Sequence, residues 1–315
     1  MQLALAIAND SSQPANYTIN VYDSNGVTRI GTTSLPTVNP GQHQAAYLDQ
    51  LLTIPQNYFG IVDIIANSGT ASVIGVSYTG NLFTTIPAAI IGSTSATAST
   101  YHVFPQIADG YASDGSYIQS TVIVINSNPS TTSPSCTLQF HGLSIGGQTS
   151  VPLTNNSGTY YLYTTPGNTQ ALQTGYASLQ CSSNVEAQLL YAYYNSAGTK
   201  ASEATVFSSP SATSLRILAD ERGSTKLALA VANDSSQNAS YTINVYASSG
   251  VNLIGSTSLP VNAGQNHAAY LDQLVTIPSN YLSIVDIIAN SGTASVIGIS
   301  YTGSLFTTIP AAILK

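Results

Sequence analysis

The stretch IVDIIANSGTASVIG, Ile61 to Gly75, returns letter for letter as Ile284 to Gly298. Two runs rich in Ile and Val flank an Asn-Ser-Gly turn, the pattern of paired β-strands, and it predicts a hairpin at Asn67–Gly69. Working outward, LALAIANDSSQ from Leu3 returns as LALAVANDSSQ from Leu227. YTINVY from Tyr17 returns from Tyr241, AAYLDQL from Ala45 returns from Ala268, and LFTTIPAAI from Leu82 returns from Leu305. One single-residue gap near Thr37 aligns the copies, with about four in five positions identical over roughly 90 residues.

The middle of the chain is a distant third copy. Phe104-Pro-Gln-Ile-Ala-Asp109 opens it as Leu215-Arg-Ile-Leu-Ala-Asp220 opens the last copy, and each leads into an apolar strand. The spacing predicts three tandem modules, residues 1–98, 99–212 and 213–315. Ser/Thr/Ala-rich joints lie at Gly92–Thr100 and Ser208–Ser214. The second and third modules each begin with an extra apolar strand, His102 to Asp109 and Leu215 to Asp220. The first begins one strand later, so its initial strand is either trimmed away or supplied by another chain. The opening Met1–Ala8 looks faintly like an export signal. Its recurrence in mid-chain from Leu227 identifies it as a strand instead.

Within a module, Tyr17, Ile19 and Val21 alternate with Thr18, Asn20 and Tyr22, a period of two. Asp23 to Gly26 predicts a hairpin turn, and Leu48–Leu52 the one helical turn. Six or seven short strands per 100 residues or so predict an all-β fold of immunoglobulin-like β-sandwiches, with a barrel as the other architecture.

Composition narrows the function. Charged residues make up 6% of the chain, against about 25% in an ordinary soluble domain. With 43% hydrophobic residues the chain is not disordered. Six basic residues and a net charge of −7 cannot build the basic footprint of a nucleic-acid binder. No apolar run approaches the roughly 20 residues of a spanning helix, so no membrane insertion is expected. Cys136 and Cys181 fit one disulfide in an oxidising, extracellular or cell-surface setting; two buried thiols are the other reading.

Candidate residues fall into four groups. In the strand Phe59 to Ala66, Gly60, Val62 and Ile64 face the core. That leaves Phe59, Ile61 and Ile65 beside Asp63 as a self-association face or a surface under a loop. Tyr161 with Tyr163, and Tyr191 with Tyr193, each share a strand face and form either a platform for sugar rings or cross-strand ladders. The acids recur in pairs: Asp10 with Asp234, Asp49 with Asp272, Asp63 with Asp286. Asp10 reads as a turn residue and Asp49 as a helix cap, while Asp63 in mid-strand has no such explanation. His43 aligns with Asn266 and His267 with Gln44, and His102 and His141 stand alone, so no histidine recurs as a module-borne catalytic group would. Asp109 to Gly115 only loosely resembles a calcium loop. No zinc spacing, phosphate loop or nucleophile elbow appears, so neither a metal nor a cofactor is expected. Sequons occur at Asn9, Asn16, Asn155, Asn233 and Asn238.

FPQIADG at Phe104–Gly110, AYLDQL at Ala46–Leu51 and YTGNLFTTIP at Tyr78–Pro87 resemble the tandem immunoglobulin-like repeats of large secreted bacterial surface proteins. That resemblance implies a stalk, an adhesive segment or a filament subunit, and carries over no catalytic residue. The expected function is a non-enzymatic extracellular structural protein that packs against itself or neighbouring modules. A carbohydrate-binding array with polysaccharide as partner is the alternative.

Overall fold

In the computed structural model the chain is 63% strand and 3% helix, with several antiparallel sheets. The structure describes residues 2–23, 28–55, 58, 60–80, 82–91, 98–127, 133–145, 148–154 and 159–314. Gly26, Phe59, Asn155 and most of the first Ser/Thr/Ala joint lie outside the described residues. The chain divides into two compact units. One comprises Met1–Ala96, Ile125–Thr132 and Thr154–Tyr160; the other comprises Thr97–Val124, Ser133–Leu153 and Tyr161–Lys315.

In the first unit the first repeat forms β1 (Gln2–Ala8), β2 (Tyr17–Tyr22), β3 (Arg29–Ser34), β4 (His43–Tyr47), α1 (Leu48–Leu51), β5 (Ile61–Ala66), β6 (Ser72–Thr79) and β7 (Leu82–Pro87). These build a sheet of order β4-β1-β6-β7 and another of order β3-β2-β5. Alternation turns Leu5 and Ile7 of β1 and Tyr17, Ile19 and Val21 of β2 into a shared core. The Tyr17 hydroxyl, on a buried ring, donates to Thr70 O at 2.7 Å. Asn67–Gly69 is not the hairpin its residues predict. It carries the chain from β5, which pairs with β2, to β6, which pairs with β1 in the other sheet. The turn chemistry is local, whereas strand pairing is not.

The second unit holds most of the second repeat and all of the third. The second repeat contributes β8 (Ser99–Tyr111), β9 (Tyr117–Ile125), β10 (Ser135–His141), β11 (Gln148–Pro152), β12 (Tyr160–Thr164), β13 (Gln173–Tyr194) and β14 (Lys200–Phe207). They run β11-β10-β13-β8-β9-β12, with β14 on β13. The long β13 pairs β10 through Tyr176–Cys181 and β14 through Gln188–Tyr194. Cys136 and Cys181 stand opposite each other on β10 and β13 and form the disulfide.

The third repeat contributes β15 (Ser214–Asp220), β16 (Thr225–Asn233), β17 (Ala239–Ala247), β18 (Leu253–Val261), β19 (Gln265–Tyr270), α2 (Leu271–Leu274), β20 (Leu282–Ala289), β21 (Ser295–Thr302), β22 (Leu305–Pro310) and β23 (Ala312–Ile313). Its sheets run β18-β17-β20-β15-β23 and β19-β16-β21-β22 around one core. The segment Ser208–Ser214 is no loose joint. Ser209 N donates to Val103 O at 2.8 Å, Val296 N donates to Ser209 Oγ at 2.8 Å, and Ala212 bridges Ala294. Small hydroxyl side chains that look like linker composition serve here as close-packed hydrogen-bonding groups.

Candidate functional site

The site of interest is the seam along the outer face of β16, β21 and β22. Ala230 and Ile297, cross-strand partners there, are buried in the core cluster of the second repeat, and Phe306 packs against it. The Phe306 ring meets the Tyr191 ring edge-on at 5.3 Å. Small side chains on β16 let the layers close up: Ala232 sits in a cluster with Val103 and Tyr176. Polar groups then fix the register. Asn266 Nδ2 reaches Gly175 O at 2.9 Å, Pro105 O at 3.1 Å and Gln106 Oε1 at 3.2 Å. Phe306 N donates to Ser202 Oγ at 3.1 Å, and Thr308 Oγ1 donates to Thr205 O. Asp234 accepts from the Tyr176 hydroxyl at 2.9 Å and from the Tyr101 hydroxyl. Burial pushes the Asp234 carboxyl up to about 6.

The first repeat carries the same face without that cover. Ala6 and Ile74 are its cross-strand pair, and Tyr78 touches Tyr47 and Phe83 as Tyr301 touches Tyr270 and Phe306. Yet Ile74 is 40% and Phe83 66% exposed, while Ile297 is 1% exposed. Asp10, the counterpart of Asp234, accepts from the Thr70 and Ser72 hydroxyls, and these hold it below the usual carboxylate range. His43 stands where Asn266 makes its three contacts, so the amide part of the seam differs between the repeats.

The residues singled out from sequence fall differently. Val62 and Ile64 pack against the core, as expected, while Ile65 is 47% exposed and Ile61 half-buried. The tyrosine platform is not assembled. Tyr191 lies in the core, and Tyr161 and Tyr163 pack against the same cluster. Tyr193 shares β13 with Tyr191, and β12 is bonded to β9 rather than to β13. The apolar body of a tyrosine gains more by burial than by display.

Asp49 is not a cap either. Tyr47 holds that position, its N–H bonded to Gln50 Oε1 at 3.2 Å, and Asp49 accepts from Gln2 Nε2 at 3.1 Å. The turn after β1 is satisfied by Asn9, not Asp10: Asn9 Oδ1 accepts from Ser11 N at 3.0 Å, and Nδ2 donates to Gln13 O and Val38 O. Asn233 repeats this pattern, so both sequon amides are buried and engaged. Asp109 is buried, binding Gly167 N and Gln170 Nε2, while Asp114 binds Ser116. The two acids of the loose calcium loop therefore serve separate turns.

His102 is buried against Ser208, Ser99 and Val185, and burial lowers its pKa. His141 stacks on Tyr176 at 4.1 Å. Among the described residues no group of three or more His, Cys, Asp or Glu side chains converges as a metal site would require. Among the described residues no helix is long and apolar enough to cross a membrane. No family model, curated protein or solved structure matches this chain.

Sequence reasoning missed the seam residues Asn266, Ile297 and Phe306. The one local signal was the exchange of His43 for Asn266 between otherwise matching segments.

Proposed function

We propose that the chain is a non-enzymatic structural protein of the cell exterior, a surface stalk or self-assembling fibre subunit. In this reading residues 1–98, 99–212 and 213–315 are immunoglobulin-like β-sandwich modules that work by packing sheet against sheet. The observation that carries it is the repeated face: buried against the second repeat on β16, β21 and β22, it recurs uncovered on β1, β6 and β7. The occupant is a second copy of the chain, its Ile74 and Phe83 set against the same residues of the first. None of β4, β1, β6 and β7 holds an Asp, Glu, Lys or Arg, so no like charges oppose that contact. The Cys136–Cys181 bridge fits an oxidising compartment. The glycan-platform reading loses its support with the burial of Tyr191.

Sedimentation velocity over a range of concentrations tests the proposal. The wild-type chain should associate with rising concentration, and Phe83→Ser combined with Ile74→Ser should stay monomeric. A wild-type chain that is monomeric at high micromolar concentration would sink the fibre form.

A further inference from the structure

Asp10 and Asp234 follow matching strands, β1 and β16, in the same Asn-Asp-Ser-Ser turn. Their carboxylates take different partners. Asp10 stays within its own repeat, where Oδ1 accepts from the Thr70 hydroxyl and Oδ2 from the Ser72 hydroxyl at 3.1 Å. Asp234 turns to the second repeat, where Oδ1 accepts from the Tyr176 hydroxyl of β13 at 2.9 Å and Oδ2 from the Tyr101 hydroxyl of β8. Thr293 and Ser295 are the counterparts of Thr70 and Ser72 in the third repeat. Ser295 is buried and shares a bond with Ser211 Oγ at 3.0 Å. Thr293 is exposed, and among the described residues only its carbonyl is engaged, by the Tyr241 hydroxyl at 2.9 Å. The seat that Asp10 uses is therefore still open to Asp234 at Thr293.

The cross-seam seat offers no positive charge. No Lys or Arg stands on β8, β10, β13 or β19, the elements packed around it. Lys226 lies at the other end of β16, on Asp272. The titratable side chains facing Asp234 are Tyr101 and Tyr176, with His141 stacked on the Tyr176 ring at 4.1 Å. His102, next to Tyr101, is bonded instead to Ser208, Ser99 and Val185. His267 falls on the opposite face of β19 from Asn266. Asp109 and Glu186 sit further along β8 and β13, Asp109 on Gly167 N and Gln170 Nε2. Burial at this seat raises the pKa of Asp234 and lowers that of His141, so both favour the neutral form. The hydroxyls around Asp10 do the reverse, holding that carboxyl below the usual range. One carboxylate thus has two seats of opposite proton preference.

We propose that Asp234 is a proton-operated latch on the seam between the second and third repeats. Protonated, it sits on Tyr101 and Tyr176 and holds the seam shut. Ionised, it turns back to Thr293 and solvent, as Asp10 sits on Thr70, and the seam loosens. Mildly acidic surroundings stiffen this joint and neutral surroundings relax it. The two seats are the bistable element, and the proton biases them through their different burial. The contact lies within the chain, so the inference does not rest on association through Ile74 and Phe83.

Hydrogen exchange of the full chain at low micromolar concentration, from pH 4.5 to 7.5, tests the latch against Asp234→Asn, which stays neutral throughout. The ratio of the two proteins at each pH cancels the intrinsic pH dependence of exchange. The reporters are two amides held by bonds to the second repeat and the connector, Phe306 N on Ser202 Oγ and Val296 N on Ser209 Oγ. Their protection in the wild type should fall about tenfold or more relative to Asp234→Asn, levelling off above about pH 6. The amides of β17, in the core of the third repeat, should keep a constant ratio. Thr293→Val should shrink the loss, because the ionised carboxylate then has no second seat. If Asp234→Asn does not fold, Asp234→Ser supplies the neutral reference. A ratio indifferent to pH, or one that changes equally in β17, would overturn the proposal. So would a Thr293→Val protein with an unaltered pH profile.

Discussion

Asp63 and Asp286 occupy the same position of the same hexapeptide, and their surroundings make them opposites. Asp286 is paired twice with Arg216, while Asp63 is half-buried without a partner among the described residues, and burial raises its pKa. Removing the charge should therefore act with opposite sign. Asp286→Asn should cost about 1–2 kcal/mol, because it removes two charge-assisted bonds to a guanidinium that solvent still partly reaches. Asp63→Asn should be neutral or stabilising by up to about 1 kcal/mol near neutral pH. Thermal melts of the two variants check this, and equal losses would contradict it. Asp234 yields a pH prediction. Its folded pKa lies above its unfolded value, so the folded chain holds the proton more tightly. That contribution is fully present below about pH 4 and is lost as pH rises through about 6. The wild-type chain should lose about 1–2 kcal/mol between pH 4.5 and 7.5 relative to Asp234→Asn, which keeps a neutral acceptor for the tyrosine hydroxyls. A constant difference between the two proteins across that range would contradict it. At this scale the sequence reading identified the recurring acids but misjudged their roles. Asn9 and Tyr47 hold the positions expected for Asp10 and Asp49, because capping geometry shifts by one or two residues without altering composition.

Among the elements, the strands themselves were legible: period-two alternation marks β2 and β17, and LDQL marks both short helices. Pairing was less so. A hairpin expected at Asn67–Gly69 became a crossing between sheets, since β5 and β6 each find better partners on β2 and β1. The bridge between β10 and β13 closes a separation of 45 residues. Replacing Cys136 and Cys181 together by serine should lower stability by about 3–4 kcal/mol on the chain-entropy account, measured by denaturant unfolding. A loss under about 1 kcal/mol would show that strand pairing alone holds these elements. The tyrosine strands teach the same lesson as the hairpin. Alternation predicts Tyr191 and Tyr193 on one face, but the burial of Tyr191 is decided by strands distant in sequence.

At the scale of the whole molecule, the second and third repeats merge into one unit through the seam around Phe306, and the first repeat keeps the same seam open. Phe306→Ala should cost roughly 1–3 kcal/mol, with the loss felt by both repeats as one cooperative transition. Phe83→Ala, on an exposed ring, should fall within about 0.5 kcal/mol of wild type. Differential scanning calorimetry distinguishes the two, and equal effects would deny the seam its role. Duplication, strand periodicity and the scarcity of charge were already readable from the order of residues, because each depends on neighbours along the chain. The cover over a face, the partner of a carboxylate and the exposure of Ile74 against Ile297 came from the assembled fold. Identical segments acquired different surroundings there, since burial and ion pairing depend on which distant strands arrive beside them.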